Sequence, residues 1–375
     1  MMQHTMIDIE ERDDTMMRRA LTIATRGQGL VSPNPMVGAV IADANGRIVA
    51  EGAHEQYGGP HAEVVVLRNV PEGTDLSSAT LYVTLEPCNH HGKTPPCTEA
   101  IIASGIRRVV VAMRDPNPIV SGQGNKRLRE AGIEVVVGVH EADAKRLNEA
   151  YIHFIKTGSP FITLKVAQTL DGFIALPNGE SQWITGLLAR EHTHRLRAMN
   201  DAVMIGAGTA LHDNPSLTVR FDIAGRNPKR VVLDENLHLP DTLQMFTDEF
   251  RTNTIVFTDL DHLETDKARL LQATGVTVYG ANRTTKGLHL NEVFATLGDH
   301  GIASVMVEGG AQLAESLMRE GLVHKLNLFI APKMFGHGIS PFRGLAVEHV
   351  DQAYHFTIYK TEMIGEDMML TAYLK

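Results

Sequence analysis

Residues 82–97, YVTLEPCNHHGKTPPC, contain both cysteines of this 375-residue chain. The apolar run at 79–85 predicts a buried strand that ends just before Cys88. A helix is predicted at 96–105, because proline is favoured in the first turn of a helix. The segment therefore places Cys88 at the end of a strand and Cys97 at the start of a helix, where the helix dipole stabilises a thiolate.

Strands and helices alternate on both sides of this segment. Further strands are predicted at 36–42, 48–52, 108–113 and 133–137. Further helices are predicted at 16–27, from His61 and at 123–131. This alternation is typical of an α/β domain with a mainly parallel sheet.

A second α/β series follows Gly158-Ser159-Pro160, which is the best domain boundary. Its strands are predicted at 161–167, 202–205, 230–233, 254–257, 276–279, 304–307 and 325–331. The chain is too long for one compact core, and the two halves show no internal repeat. We expect a flexible tail at 1–14, a first domain at 15–158 and a second domain at 159–375.

The composition restricts the class of protein. With 43% apolar and 21% charged residues the chain is ordinary for a soluble protein, and two cysteines cannot form a disulfide framework. A net charge of −9 argues against a broad nucleic-acid surface. No apolar run approaches 20 residues, and the polar N-terminus lacks a signal peptide. We expect a cytoplasmic homo-oligomer, dimer or tetramer, that acts on a small molecule without nucleic-acid or membrane partners.

His61-Ala62-Glu63 and the two cysteines form a catalytic zinc pattern. One imidazole and two thiolates supply three ligands, which leaves the fourth tetrahedral position for water. Two thiolates cancel the charge of the ion, so a carboxylate is needed to move the proton of that water. We therefore predict one zinc ion per chain, held by His61, Cys88 and Cys97, with Glu63 as the general acid and base of a deaminase.

A structural zinc site is the alternative. His90 or His91 would then supply a fourth protein ligand, as structural sites normally have four. The protein would in that case be a non-catalytic nucleotide-binding protein. Glu63 argues against this alternative, because a carboxylate beside an open zinc position has no structural task. A deaminase of another nucleobase, fused to a reductase-like domain, is the other alternative.

The second half contains Val307-Glu308-Gly309-Gly310 after a predicted strand. The motif opens a predicted helix at 312–320, whose N-terminus offers backbone amides to a phosphate. A plain strand-to-helix turn explains the motif equally well. Gly206-Ala207-Gly208-Thr209 lacks the third glycine of a dinucleotide-binding fingerprint.

The full string at 82–97 resembles the deaminase domain of the bifunctional riboflavin biosynthesis deaminase/reductase family. Its gap of eight residues between the cysteines is typical of that family, whereas cytidine and tRNA adenosine deaminases have Cys-x-x-Cys. Segments 163–172, 181–185, 213–220 and 307–310 resemble the reductase domain of the same family. The resemblance runs from about Met16 to the C-terminus, and its one departure is Asn89, where serine is more usual.

The resemblance implies a cytidine deaminase-like three-layer α/β/α domain followed by a dihydrofolate reductase-like α/β domain that uses NADPH. The first domain would deaminate 2,5-diamino-6-ribosylamino-4(3H)-pyrimidinone 5′-phosphate. The second would transfer hydride to C1′ of the ribosylamino group and open the sugar. No residue by itself distinguishes NADPH from NADH, and no acid or base is assigned to the second domain.

The resemblance also implies individual contacts. Those to the deaminase substrate are Asn34, His54, His90, Lys93, Asp115 and Asn117. Those to NADPH are Ala167, Trp183, Thr209, Asp213, Gly310, Ala311, Gln312, Leu313, Ala314, Glu315 and Ser316. Those to the reductase substrate are Ser181, Arg197, Leu217, Arg220 and Glu308. Glu235 stands where a serine can occur near the cofactor, and its role is open.

Overall fold

The computed structural model describes residues 2–89, 96–118, 120–223 and 225–375, with side chains from residue 9 onward. The chain divides into two compact units, Met1–Thr157 and Gly158–Lys375. This division lies one residue from the predicted boundary. Both units combine helices with a sheet, so the predicted α/β class is confirmed.

Unit 1 contains six α-helices and five strands among the described residues. The helices are α1 (Met2–Ala24), α2 (Ala62–Arg68), α3 (Cys97–Ala103), α4 (Gln123–Glu130), α5 (Glu141–Leu147) and α6 (Glu149–Thr157). The strands are β1 (Gly38–Ala42), β2 (Ile48–Ala53), β3 (Thr80–Leu85), β4 (Arg108–Met113) and β5 (Glu134–Val137). They form one sheet in the order β2-β1-β3-β4-β5.

This sheet is parallel only on one side. Strands β3, β4 and β5 run parallel, whereas β1 is antiparallel to both β2 and β3. A short turn joins β1 to β2, and such a turn can connect only antiparallel strands. The prediction of a mainly parallel sheet is therefore correct for the side that carries Cys88 and wrong for the other side.

The central strands of unit 1 are buried along their whole length. Every residue of β1 and β3 is buried, which explains their unbroken apolar runs. Helix α1 packs closely on β1, since a Cβ atom at Gly38 would lie 2.1 Å from the carbonyl oxygen of Ala20. The glycine thus allows helix and strand backbones to touch.

Helix α1 begins at Met2, not near residue 16, so it includes residues 2–14 of the segment for which we expected a flexible tail. Asp13 is buried in unit 1, and its carboxylate accepts hydrogen bonds from the guanidinium of Arg108 at 2.7 and 2.8 Å. The Tyr82 hydroxyl donates a third bond at 2.9 Å. These partners lie 69 and 95 residues away in sequence and fix the part of α1 that carries Asp13.

Unit 2 contains six helices and eleven strands among the described residues. The helices are α7 (Leu187–Met199), α8 (Ala207–Asp213), α9 (Gln244–Thr247), α10 (Asp266–Ala273), α11 (Leu290–Asp299) and α12 (Ala311–Arg319). The first strands are β6 (Phe161–Thr169), β7 (Ala202–Gly206), β8 (Lys229–Leu233), β9 (Thr254–Asp259), β10 (Thr277–Ala281), β11 (Arg283–Thr284) and β12 (Gly287–Leu288). The last strands are β13 (Ser304–Glu308), β14 (Lys325–Ala331), β15 (Phe356–Ile364) and β16 (Asp367–Leu374).

Nine of these strands form one sheet in the order β10-β9-β8-β7-β13-β6-β14-β16-β15. The first seven in this order run parallel, as predicted. Strands β15 and β16 add an antiparallel hairpin that the sequence analysis did not predict. Most of β15 is exposed, so its sequence shows no apolar face.

The parallel strands bring distant segments to one edge of the sheet. Strands β7, β13 and β6 are neighbours, so 206–209 and 308–310 emerge beside the end of β6. Ligand sites of open α/β sheets lie at this carboxyl edge. Among the described residues, no helix is both long and apolar enough to span a membrane.

Candidate active sites

Unit 1 brings three soft donor atoms together. His61 directly precedes α2, Cys88 follows β3, and Cys97 is the first residue of α3. The Nδ1 atom of His61 lies 3.3 Å from Sγ of Cys97 and 3.5 Å from Sγ of Cys88. All three donor atoms lie within 4.8 Å of one another, and no other such group occurs in the described part of the chain. One imidazole and two thiols at this spacing fit a zinc ion with an open fourth position.

Three hydrogen bonds hold the two cysteines together from either side of residues 90–95, which lie outside the described residues. The Cys97 amide donates to Sγ of Cys88 at 3.4 Å, and the Thr98 amide donates to the Cys88 carbonyl at 3.2 Å. The Thr98 hydroxyl donates to Oδ1 of Asn89 at 2.9 Å. Asn89 stands where serine is more usual. Its side chain thus connects the segment that follows β3 to helix α3.

Glu63 lies in the first turn of α2 and is 4% exposed. Its carboxyl group is within hydrogen-bond distance of the Cys97 thiol, and burial together with the charge of Cys88 raises the pKa of Glu63 to about 7. Hydrogen bonding from Cys97, and then from His61, lowers the pKa of Cys88. A buried carboxyl group beside these donor atoms is placed to take up and release a proton at a bound ion.

Asn34 and His54 lie beside the same cluster. The His54 ring is 5.7 Å from the His61 ring, edge to face. Its Nδ1 atom lies 3.0 Å from the carbonyl oxygen of Pro60, which can only accept, so Nδ1 carries the proton. The Nε2 atom is then the acceptor for the Asn34 amide at 3.2 Å. Burial lowers the pKa of His54 and favours this neutral form.

The remaining predicted contacts of unit 1 divide into two groups. His90 and Lys93 lie outside the described residues. Asp115 and Asn117 follow β4, and the Asn117 amide donates to Oδ1 of Asp115 at 2.9 Å. Because β3 and β4 are parallel neighbours, these residues leave the sheet at the same edge as Cys88.

Glu86 is a structural residue of this site that the sequence analysis missed. Its buried carboxylate accepts the amides of Asp115 at 3.2 Å, Gly122 at 2.9 Å and Asn125 at 3.1 Å. It thereby caps α4 and fixes the segment that carries Asp115. Gly124 allows the close approach, since a Cβ atom there would lie 1.9 Å from the Pro87 carbonyl oxygen. The signal in the sequence is a carboxylate directly after a fully buried strand.

Replacing this carboxylate is expected to loosen the segment at 115–125. In Glu86→Gln an NH2 group replaces one of the two accepting oxygens. At least one backbone N–H then has no acceptor, which lowers the free energy of unfolding by about 1–3 kcal/mol. Hydrogen exchange should accelerate at the amides of Asp115, Gly122 and Asn125. Glu130→Gln, on the exposed side of α4, is the matched control and should leave these rates unchanged. Equal exchange rates in Glu86→Gln and the control would contradict the capping role.

Unit 2 contains a cavity of about 1090 Å³ at the carboxyl edge of its sheet. This volume suits a nucleotide together with a small substrate. All but three of the predicted contacts of unit 2 line it: Ala167, Ser181, Trp183, Arg197, Thr209, Asp213, Leu217, Arg220, Glu308, Gly310, Ala311, Gln312 and Leu313. The lining comes from segments scattered over more than 140 residues of sequence, which the parallel strands collect at one place.

Ala314, Glu315 and Ser316 are not among the residues that line this cavity. Ala314 is buried in the core of unit 2, and Glu315 forms an ion pair with Arg319 along α12. A helix presents only part of each turn to one side, so only the beginning of α12 borders the cavity. Glu235 also does not line it, and instead pairs with Nε of Arg283 at 2.7 Å.

Arg197 and Glu308 form a buried ion pair in the cavity wall. Nε and Nη2 of Arg197 donate to the two carboxylate oxygens at 2.6 and 3.0 Å, and Nη1 donates to the Thr218 carbonyl at 3.2 Å. Burial opposes ionisation of Glu308, but the attraction of Arg197 outweighs it and lowers the pKa of the carboxyl group. The pair therefore remains charged.

Lys165 and His194 also line the cavity, and the sequence analysis assigned neither of them a contact. Burial lowers the pKa of Lys165, against the attraction of Glu308. Burial, with repulsion by Arg197, lowers the pKa of His194 to about 4, so this imidazole is neutral at pH 7. The signal for Lys165 is a lone charge within the apolar strand β6.

The glycine turn before α12 is fixed by a side chain from the neighbouring segment. The Gly310 amide donates to the Thr209 hydroxyl at 3.1 Å. A Cβ atom at Gly310 would lie 3.4 Å from that oxygen. The two glycine-containing segments that the sequence analysis noted separately therefore form one wall of the cavity.

Two family models match the chain. Residues 10–113 match the cytidine and deoxycytidylate deaminase zinc-binding region. Residues 160–370 match the RibD C-terminal domain. The first match contains the cluster of His61, Cys88 and Cys97, and the second contains the residues that line the cavity of unit 2.

Relatives match over nearly the full chain. Riboflavin biosynthesis protein RibD of Aquifex aeolicus is 43% identical over 96% of this chain and 98% of its own length. The structure of Acinetobacter baumannii RibD superposes with a TM-score of 0.87 at 34% identity, covering 98% of this chain and 99% of that one. The Thermotoga maritima diaminohydroxyphosphoribosylaminopyrimidine deaminase/5-amino-6-(5-phosphoribosylamino)uracil reductase has a TM-score of 0.86 at 39% identity, with the same coverage.

Proposed function

The chain belongs to the RibD family of bifunctional riboflavin-biosynthesis enzymes, and on this premise we propose which of its residues perform each reaction. Its first half is a zinc-dependent deaminase and its second half is an NADPH-dependent reductase. The observation that carries the residue assignment is the convergence of His61, Cys88 and Cys97 beside the buried carboxyl group of Glu63. When bound, the zinc ion supplies an activated water and NADPH supplies a hydride.

In the deaminase half, His61, Cys88 and Cys97 hold the ion, and Glu63 moves the proton. Glu63 takes the proton of the attacking water and delivers it to the leaving amine. Its buried position beside Cys97 and the other metal ligands supports both transfers. The alternative of a structural zinc does not account for a carboxyl group buried at this place.

The substrate of this half is 2,5-diamino-6-ribosylamino-4(3H)-pyrimidinone 5′-phosphate. The name of the Thermotoga maritima relative and the position of Asn34 and His54 beside His61 support this substrate. Asn34 and Asn117 suit the polar edge of a pyrimidine ring. Lys93 suits the phosphate as a point charge. Contacts to the same substrate are further proposed for His54, His90 and Asp115.

In the reductase half, the cavity holds NADPH and the deaminated ribotide side by side. Ala167, Trp183, Thr209, Asp213 and the segment 310–313 contact the nucleotide. Ser181, Arg197, Leu217, Arg220 and Glu308 contact the ribotide. Their common position in the wall of the 1090 Å³ cavity supports both sets. The neutral imidazole of His194 adds no charge to this wall.

The order of the two reactions is testable with the purified protein. Incubation with the diaminopyrimidine ribotide should release ammonia with or without NADPH. NADPH should be oxidised only after deamination, and supplied 5-amino-6-(5-phosphoribosylamino)uracil should be reduced at once. Oxidation of NADPH by the undeaminated ribotide at an equal rate would overturn the proposed order.

We also propose that the protein is a cytoplasmic homo-oligomer, a dimer or a tetramer. Strand β15 forms one end of the large sheet, and it exposes the apolar side chains of Ile358, Tyr359 and Met363. An exposed strand edge with apolar side chains favours pairing with a second copy. The net charge of −9 supports a protein without nucleic-acid partners. Light scattering after gel filtration measures the number of copies.

A further inference from the structure

The guanidinium group of Arg190 borders the cavity of unit 2, and no contact has been predicted or proposed for it so far. Arg190 lies in the first turn of α7 and lines the cavity. The centre of its guanidinium group is 4.2 Å from the ring centroid of Trp183. Its Nε atom is buried without a hydrogen-bond partner, and no described carboxylate pairs with the group. The Nη atoms of Arg190 are not buried in this way and form no hydrogen bond with a described residue, so they are the donors that a ligand in the cavity can reach.

Two other arginines of unit 2 with little exposed surface, Arg197 and Arg230, are engaged with the protein. Arg197 directs three donors to Glu308 and Thr218. Arg230 is 1% exposed and makes five hydrogen bonds within the core. Arg190 differs from both, because its donors are available within a cavity that already has a nucleotide-sized volume.

The charges around the cavity favour an anionic ligand near Arg190. Glu308 neutralises Arg197, so the pair contributes no net charge. Lys165, Arg190 and Arg220 remain as basic side chains of the wall, against the single carboxylate of Asp213. The Arg190 guanidinium lies over the Trp183 ring, and an arginine in such a position can still donate hydrogen bonds through its Nη atoms. A planar donor edge matches two oxygens of a phosphate monoester.

We infer that Arg190 binds the phosphate monoester of a ligand in the reductase cavity. The inference rests on the proposed function, which brings two such groups into this cavity. One is the 5′-phosphate of the ribotide, and the other is the 2′-phosphate that distinguishes NADPH from NADH. Arg190 adds a specificity-determining contact to those proposed above, with Trp183 as the platform that orients it.

Equilibrium binding and kinetics together test this inference. Arg190→Gln and Arg190→Lys are compared with wild type and with Arg195→Gln, an exposed residue on the same helix that pairs with Glu191. Trp183 is the only tryptophan and lies in the cavity, so its fluorescence reports the binding of NADPH and NADH. Deaminase activity of the same chain, together with the thermal unfolding of unit 2, verifies that each variant is folded.

Two outcomes support the inference and identify the source of the phosphate. If Arg190 binds the 2′-phosphate, Arg190→Gln raises the Kd of NADPH about tenfold to a hundredfold, and the Kd of NADH stays unchanged. If it binds the 5′-phosphate, the KM of the ribotide rises by a similar factor, and that of its dephosphorylated analogue does not. In either case Arg190→Lys restores part of the loss.

One outcome overturns the inference. If Arg190→Gln is folded and all four constants stay within about twofold of the Arg195→Gln control, Arg190 binds no phosphate. Failure of the proposed function gives a different result, since wild type would then not reduce the ribotide with NADPH at all.

Discussion

Glu63→Gln is expected to lower the deaminase kcat by about 10²–10⁴-fold while the zinc content stays at one ion per chain. Glutamine has nearly the size of glutamate, so α2 and His61 keep their positions. Its amide cannot take a proton from water or deliver one to a leaving amine. The loss should appear in kcat more than in KM, because the change removes proton transfer and leaves the substrate contacts proposed for Asn34 and His54 in place.

The bifunctional chain supplies its own control for this variant. Reduction of supplied 5-amino-6-(5-phosphoribosylamino)uracil should proceed at the wild-type rate, since it takes place in unit 2. Glu72→Gln, at an exposed position after α2, should leave both activities unchanged. Metal analysis decides between the two interpretations of the site. Loss of zinc together with unfolding of unit 1 would favour a structural ion and contradict the catalytic role of Glu63.

Asp248→Ala is expected to destabilise unit 2 by about 3–5 kcal/mol, because it leaves the charge of Arg230 buried without a counter-ion. Nη1 and Nη2 of Arg230 donate to the two Asp248 oxygens at 2.6 and 2.9 Å. Its other donors bind Ser216, Met245 and Thr254, so the side chain cannot turn outward without breaking three more bonds. For a unit of this size, Tm should fall by roughly 6–20 °C.

A double-mutant cycle separates the buried charge from simple loss of contacts. Arg230→Met removes the charge and retains much of the volume, so Asp248→Ala should cost much less in that background than in wild type. Unfolding of each variant in urea, followed by circular dichroism, gives the four free energies. Additive effects of the two substitutions would show that the pair is not coupled, contrary to this account.

The metal site was largely predictable because its chemistry is local. A histidine, a glutamate and two cysteines at fixed spacings have few uses other than metal binding, and the strand and helix signals around Cys88 and Cys97 are strong. Asn34 and His54 came from the family resemblance, and the structure places them beside His61. Glu86 was not predicted, since its three amide partners lie 29 to 39 residues away.

The second unit was less accessible to sequence reasoning. The parallel strands were predicted from their apolar runs, but the hairpin of β15 and β16 was missed, because β15 lies at an exposed edge and carries no apolar alternation. Ala314, Glu315 and Ser316, for which contacts to NADPH were predicted, are not among the residues that line the cavity. The sequence does not distinguish Arg190 from an ordinary charged surface residue. Only the structure shows that its guanidinium group lies over the Trp183 ring.

His61, Glu63 and the two cysteines of the segment 82–97 determined the type of zinc site, and the eight-residue gap between the cysteines indicated the riboflavin-type family of deaminases. These properties depend on residue identity and short separations, which a sequence states directly. Only the tertiary structure decided how Asp13 orders α1, how Glu86 caps α4 and which groups meet in the reductase cavity. Each of these depends on partners brought together by sheet topology, and a linear pattern of hydrophobicity carries no information about such pairs.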